Sequence, residues 1–393
     1  MKAAIPYGRQ DISEADIDAV VGVLRSSFLT QGPAIDQFEQ VVARYVGGEY
    51  ATAVSSATAA LHIACQALGL GPGDHLWTVP NTFVASANCA RYCGATVDFI
   101  DIDRDTYNMS VVALEQKLAE AKRDGVLPKI VIPVHFAGQS CDMAAIGALA
   151  LQYGFAVIED ASHAIGATYD NAFVGNCRYS DITVFSFHPV KIITSGEGGM
   201  ALTNNAALHA RMQRLRSHGI TRNAAEMRSR DEGSWYYEQL ELGYNYRMTD
   251  IQAALGSSQM TRLPAFVDRR RTLAARYNQA FSTSKWHASV RIPAQKSYGR
   301  SAWHLYPIHV ANRRAVFDSL REAGILVNVH YIPVHLQPYY GAMGFKRGDF
   351  PNAEWYYDGA ISLPMYFGLS DATQDYVISA VAAAVGEATR MTS

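Results

Sequence analysis

Along the first two-thirds of the chain, apolar and polar positions follow two alternating rhythms. Short apolar runs recur at Ala51 to Val54, Leu76 to Val79, Thr96 to Ile100, Ile130 to Val134 and Phe155 to Ile158. Their length suits strands buried on both faces. Between them, Ala59 to Leu68, Phe83 to Cys93, Val111 to Ala121 and Met143 to Tyr153 carry helical spacing. Ser13-Glu14-Ala15-Asp16 puts a hydroxyl cap and two acids at a helix start, and Pro33 opens a second helix that Gly47-Gly48 closes. A further strand is expected over Asp181 to Phe187. Strands alternating with helices predict an α/β fold whose mostly parallel sheet is covered on both faces. In such sheets ligands sit beyond the carboxyl ends of the strands.

The texture changes after Arg262-Leu263-Pro264. An Arg-rich helix (Arg269, Arg270, Arg271, Arg276) leads to strand-like stretches at Trp303 to Val310 and Leu326 to Ile332, then to a helix over Gln374 to Val385 that Gly386 is expected to end. This predicts a large domain over 1–262 and a smaller C-terminal α+β domain over 263–393.

Composition narrows the function classes. The 393 residues are 49% hydrophobic and 18% charged, which excludes a disordered chain. Lys plus Arg number 34 against 36 Asp plus Glu, a balance that leaves no electrostatic footprint for nucleic acid. No apolar run approaches the length of about 18 that a membrane helix needs, and Met1 to Gln10 lacks a signal-peptide core. Five sparse cysteines, Cys65, Cys89, Cys93, Cys141 and Cys177, fit buried thiols and a cytoplasmic setting better than disulfides or zinc.

Three turns after strands could carry chemistry. Ser55-Ser56-Ala57-Thr58 opens a helix, where free backbone N–H groups can hold an anion; taken alone, such a turn is more often an ordinary cap. Glu159-Asp160 ends an apolar strand, and a carboxylate there could face a cationic ring nitrogen, face a metal or cap the next segment. Lys191 follows the strand Asp181 to Phe187 and precedes Glu197-Gly198-Gly199. A desolvated amine there suits Schiff-base chemistry, although a lone loop lysine is usually just solvated. Together the three supply a phosphate cradle, a partner for a pyridinium nitrogen and an amine for an aldehyde, the parts that hold pyridoxal phosphate.

At these residues the chain resembles the DegT/DnrJ/EryC1/StrS sugar aminotransferases. The resemblance rests on Ser186-Phe187-His188-Pro189-Val190-Lys191, Glu159-Asp160-Ala161-Ser162-His163, Asn81-Thr82-Phe83-Val84-Ala85 and Leu242-Gly243-Tyr244-Asn245-Tyr246-Arg247. It implies an aspartate-aminotransferase-like fold (fold type I), pyridoxal 5′-phosphate as cofactor and a homodimer with shared sites. Lys191 would hold the cofactor aldehyde and shuttle the proton, and Asp160 would face the ring nitrogen. Ala57, Thr58, Ser186 and the partner's Asn245 would bind the phosphate, Phe83 would cover the ring, and His163 would lie beside it. Tyr7, Leu29, Thr30, Ser56, His188, Arg247, His330 and Tyr331 would serve the substrates. Those would be L-glutamate and a UDP-linked 4-keto-6-deoxy N-acetylhexosamine, the latter suggested by Trp235-Tyr236-Tyr237-Glu238, His330-Tyr331-Ile332-Pro333-Val334-His335 and Gly348-Asp349-Phe350-Pro351. No metal is implied. His330 and His335 are five apart, and on a strand they would point to opposite faces. Three rivals are weaker. A regulatory protein that binds the cofactor without turnover has no need for both substrate segments, Ser27 to Thr30 and His330 to Pro333. A sugar 3-dehydratase carries His where Lys191 stands, and a metallohydrolase on Asp160, His163 and His188 lacks any H-E-x-x-H motif.

Overall fold

The computed structural model describes residues 4–228, 232–283 and 289–390. Its centre is a seven-stranded sheet in the order Tyr50–Val54, Gly199–Thr203, Ile182–Ser186, Ala156–Asp160, Ile130–Val131, His75–Thr78 and Thr96–Phe99. All neighbouring pairs are parallel except the two made by Gly199–Thr203. The expected strands appear within a residue or two, except that Ile130 to Val134 is regular only over Ile130–Val131. The antiparallel strand Gly199–Thr203 was not expected, because its first glycine reads as the end of a turn.

Helices cover the sheet as the periodicity implied. Ser13 caps the helix Glu14–Leu24 reciprocally with Asp16. Pro33 stands at the first position of Pro33–Val46, which ends on left-handed Gly47. The helix expected from Phe83 begins two residues later, at Ala85–Tyr92. This leaves Phe83 in the preceding turn, 57% exposed.

One helix, Asp250–Thr283, runs through Pro264 without ending. Met260, Leu263, Phe266 and Val267 pack in a core with the early helices and sheet. Leu273, Ala274, Tyr277 and Phe281 pack in another, with Tyr306, Ile308, Val377 and Val381. The change of core therefore falls inside the helix, between Val267 and Leu273.

The C-terminal third departs from the sequence pattern in three places. The stretch Trp303 to Val310 is a strand only over Tyr306–Val310. Trp303 is left-handed, and the Ala302 N–H donates to the Gly138 carbonyl, which pulls this segment across the large core. Leu326 to Ile332 is not a continuous strand. Ile325–Leu326 pairs in parallel with Ile5–Pro6, and the chain then turns over the carboxyl end of the main sheet. His335 accordingly sits in the short 3-10 turn Val334–Leu336, buried against Glu354 at 2.9 Å, rather than on a strand with His330. The last helix spans Asp371–Arg390, so Gly386 lies inside it. The helix cost of one glycine, about 1 kcal/mol, is outweighed by continued burial of Ala384, Val385 and Ala388.

Arg270 ties this helix to the segments around it. Its Nη1 donates to the carbonyls of Trp303, His304 and Met365 at 3.1, 3.0 and 2.9 Å, all buried. Arg270→Leu keeps the volume but leaves those carbonyls without that donor, at about 1–3 kcal/mol for each group left unsatisfied. The expected result is a thermal midpoint lowered by several degrees, read by circular dichroism; an unchanged midpoint would show that the three bonds are dispensable.

Candidate active site

A cavity of about 640 Å³ opens at the carboxyl end of the sheet. That volume lies within the range usual for small-molecule sites. Lys191, Asp160, Ala57, Thr58, Phe83, His163, Ser186, Tyr7, Ser56, His188, His330 and Tyr331 all line it. Residues from the start, middle and C-terminal third of the chain thus converge on one space.

Strand geometry separates the two carboxylates that the sequence left equivalent. Successive residues of Ala156–Asp160 point to opposite faces. Glu159 turns away from the cavity and accepts from His135 at 2.7 Å, Ser180 at 2.5 Å and Thr183 at 3.0 Å. Burial works against the Glu159 charge, but these partners hold its carboxyl below the usual range. The Cys141 N–H donates to His135 Nδ1 at 3.1 Å, so the neutral ring carries its proton on Nε2 and donates it to Glu159. This is a structural hydrogen bond to a buried carboxylate. Asp160 faces the cavity, with Oδ2 accepting from Ser86 at 2.6 Å and Oδ1 from the Ser162 N–H at 3.0 Å. Thr82 in turn contacts Ser86 at 2.8 Å.

The Lys191 amine is enclosed by protein atoms, although the residue keeps some surface toward the cavity. Burial lowers it to about 8, and the Asp160 charge partly offsets that effect. Three imidazoles share this wall. Burial keeps His163, His304 and His330 neutral, and the nearby Lys191 charge reinforces it; His330 falls to about 3. His163 and His304 rings lie 4.4 Å apart. The Nδ1 of His304 is buried without a partner among the described residues.

At the opposite wall, the helix Ala57–Ala67 points its first turn into the cavity. Ser56 is its cap and accepts from the Ala59 N–H at 3.1 Å, which commits that hydroxyl to the helix. The N–H groups of Ala57 and Thr58 belong to the orphan donors of the first turn. Gly199 makes this wall possible, since a methyl there would lie 2.4 Å from the Ala57 nitrogen and 2.4 Å from the Ser56 carbonyl carbon. The strand Ile182–Ser186 ends beside it, placing Ser186 on the rim. His188 stands at the mouth, exposed, 4.0 Å from Glu197.

Four expected residues lie outside this cavity. Asn245 bridges to Ser217, and Arg247 bridges to Val54 and donates to Ser217 Oγ at 3.0 Å. Arg247 lines a separate hollow of about 440 Å³ with Phe28 and Gln31. Leu29 and Thr30 are exposed, and the Leu29 carbonyl accepts from the Asp250 N–H. Sequence reasoning missed Ser86, His304 and Asn328, all within or against the cavity. None of the three left a local signal, since Thr82, which contacts Ser86, precedes the helix Ala85–Tyr92. Among the described residues no group of His, Cys, Asp and Glu could hold a metal ion.

The arrangement fits pyridoxal phosphate: a buried amine of lowered basicity, a fixed carboxylate, and a helix start opened by Gly199. Comparison with known proteins agrees. The DegT/DnrJ/EryC1/StrS aminotransferase family model matches residues 10–382. The Bacillus subtilis spore coat polysaccharide biosynthesis protein SpsC is 42% identical over 385 residues, 96% of each chain. The UDP-4-amino-4,6-dideoxy-N-acetyl-β-L-altrosamine transaminase of Campylobacter jejuni is 37% identical over 375 residues, 94% of each. The solved structure of Helicobacter pylori PseC, an aminotransferase involved in the biosynthesis of pseudoaminic acid, superposes with a TM-score of 0.88. It is 30% identical, with 98% of this chain and 100% of that one covered. The chain belongs to the DegT/DnrJ/EryC1/StrS aminotransferase family, and is a pyridoxal-phosphate-dependent sugar aminotransferase of fold type I.

The lowered basicity of Lys191 can be read directly. In cofactor-free protein, the rate of Lys191 modification by an amine reagent, followed by peptide mass, is expected to reach half its plateau near pH 8, where an ordinary lysine does so near about 10.4. A midpoint above 10 would mean the amine is solvated.

Proposed function

We propose that this protein transfers the amino group of L-glutamate to C4 of UDP-2-acetamido-2,6-dideoxy-β-L-arabino-hex-4-ulose, giving UDP-4-amino-4,6-dideoxy-N-acetyl-β-L-altrosamine for pseudaminic acid synthesis. The observation that carries the chemistry is the enclosure of Lys191 and Asp160 in one cavity with a free helix start. The similarity to the Campylobacter transaminase and to PseC supports the choice of sugar.

When bound, pyridoxal phosphate supplies the electron sink for the charge left on the amino acid Cα. Lys191 anchors it and then moves the Cα proton. With its pKa lowered to about 8 by burial, about a tenth of the amine is free base at pH 7, far more than for an ordinary lysine, yet it can still return a proton, as general acid–base work requires. Asp160, fixed by Ser86 and the Ser162 N–H, holds the proton on the ring nitrogen. The N–H groups of Ala57 and Thr58 and the hydroxyls of Thr58 and Ser186 would hold its phosphate. Phe83 and His163, which line the same cavity, would enclose the ring. Tyr7, His330 and Tyr331 face the sugar, and Ser56 and His188 border its path.

Asn245, Arg247, Leu29 and Thr30 fall outside the cavity of their own chain, and we assign them to the site of a second copy. In a homodimer, Asn245 of the partner subunit completes the phosphate site, and Arg247 offers a bidentate fork for the glutamate carboxylate. Exposed Phe28, Leu29 and Leu242 supply apolar surface for such an interface. The enzyme works in the cytoplasm, where glutamate and nucleotide sugars are found. The alternative acceptor is another nucleotide-linked 4-keto sugar, such as a bacillosamine or 4-amino-arabinose precursor.

A panel of 4-keto and 3-keto nucleotide sugars, assayed for glutamate turnover, separates these acceptors; turnover only with 3-keto sugars would overturn the C4 assignment. Lys191→Ala is expected to bind the cofactor non-covalently and lose transamination by at least the roughly 10² to 10⁴ typical of proton transfer, and a variant with a tenth of the activity would sink the assignment of Lys191. Mixing Lys191→Ala with Asn245→Ala subunits is expected to restore about half the wild-type activity per mixed dimer. No recovery despite demonstrated exchange would place Asn245 in its own chain's site.

A further inference from the structure

The helix Ala57–Ala67 opens on the phosphate turn, and its later turns hold a segment that lies outside its own cavity. His62, one residue beyond Leu61 in the cavity wall, is buried, and its Nδ1 lies 3.2 Å from the Tyr246 hydroxyl. Gln66 stands four residues on, which returns to the same helix face. Its Nε2 donates to the Tyr244 hydroxyl at 2.6 Å. The two phenol rings stack with centroids 4.8 Å apart, and the Tyr244 ring lies 4.7 Å from the His62 ring. Backbone bonds hold the segment along both edges. The Ser55 N–H donates to the Tyr246 carbonyl at 2.7 Å, and the Tyr244 and Tyr246 N–H groups donate to the Leu215 and Arg216 carbonyls at 2.7 and 3.0 Å.

Between the two tyrosines stands Asn245. Side chains alternate along an extended segment, so with Tyr244 and Tyr246 turned to the helix, Asn245 is left on the other side, exposed. His62 marks the arrangement as more than packing. Its Nε2 is buried without a partner among the described residues, and a buried polar atom left unpaired is costly. An apolar side chain would fill that space without the cost, so what the imidazole contributes is its bond to Tyr246. We infer that His62, Gln66, Tyr244 and Tyr246 are positioning residues that aim Asn245 at the cofactor phosphate held by a second subunit. The inference rests on the assignment of Asn245 to the partner's site and deepens it. One helix then serves two sites, its own through the first turn and the partner's through the turns behind it.

The full-length dimer, freed of cofactor, is titrated with pyridoxal phosphate and with pyridoxal, which lacks the phosphate. Asn245→Ala is expected to weaken pyridoxal phosphate about tenfold, the scale of a hydrogen bond to a charged group, and to leave pyridoxal within about twofold. Tyr244→Phe/Tyr246→Phe keeps both rings and is expected to weaken pyridoxal phosphate about fivefold, again sparing pyridoxal. Gln66→Leu is expected to cost about threefold, with no further loss when Tyr244→Phe is added. Equal losses for both ligands would show a merely structural role and overturn the inference. So would a double phenylalanine variant within about twofold of wild type beside an Asn245→Ala protein that has lost its phosphate contact. An Asn245→Ala protein with unchanged affinity would instead refute the assignment of Asn245 itself, and the inference with it.

Mixed dimers, purified through two different tags, locate the effect. Lys191→Ala silences one site, so the visible absorption of the Lys191–cofactor bond reports only the other. When both tyrosine changes share the chain with Lys191→Ala, the reporting site is expected to show the loss. When they lie on the chain that keeps Lys191, it is expected to bind as wild type. The reverse pattern would overturn the inference, since the tyrosines would then act on their own helix start. Thermal melts establish that each variant is folded; if the double phenylalanine variant is not, Gln66→Leu in the same two arrangements decides.

Discussion

The molecule turns on how two adjacent carboxylates at the end of one buried strand are satisfied. A charge removed from water must be given partners or it neutralises. Strand pleating sends Glu159 and Asp160 to opposite sides, and each side answers differently. Glu159 is closed in by His135, Ser180 and Thr183, which pins the neighbouring segments to the sheet. Asp160 keeps only small neutral donors on the cavity side, so its charge remains available to a cationic ring. The structural pair holds in place the strand end from which the chemical residue projects.

The large-domain layout was legible because parallel strands buried on both faces are written as unbroken apolar runs. The strand Gly199–Thr203 was hidden by chemistry of another kind. Its first residue is glycine because the backbone of Ser56 and Ala57 approaches it, and in sequence a glycine at a close approach looks like one in a turn. The C-terminal third was harder for a related reason. The segments around Trp303 and His330 are apolar because they pack across the large core and the cavity, and burial without a ladder leaves no period to read.

The site was legible in proportion to how locally its residues act. Lys191, Asp160 and the turn Ser55 to Thr58 announce themselves by their place after strands. Ser86 and His304 meet partners far away in the chain: Ser86 and Asp160 are separated by 74 positions. A polar residue whose purpose is to orient another carries no local mark. The four residues outside the cavity, Leu29, Thr30, Asn245 and Arg247, are the extreme case, since the partner we assign them lies on a second molecule.

The helix Asp250–Thr283 serves both cores, and this makes it a ruler. Each residue along an α-helix advances about 1.5 Å and turns about 100°. Adding a single residue between Val267 and Leu273 would rotate everything beyond it by that angle while the earlier core stayed fixed. Tyr331 would swing away from His163, and the carbonyls held by Arg270 would lose their donor. Loops elsewhere on the surface can lengthen freely; the spacing within this helix cannot. Among homologous chains, insertions and deletions should therefore avoid this stretch even where its exposed side chains vary without constraint.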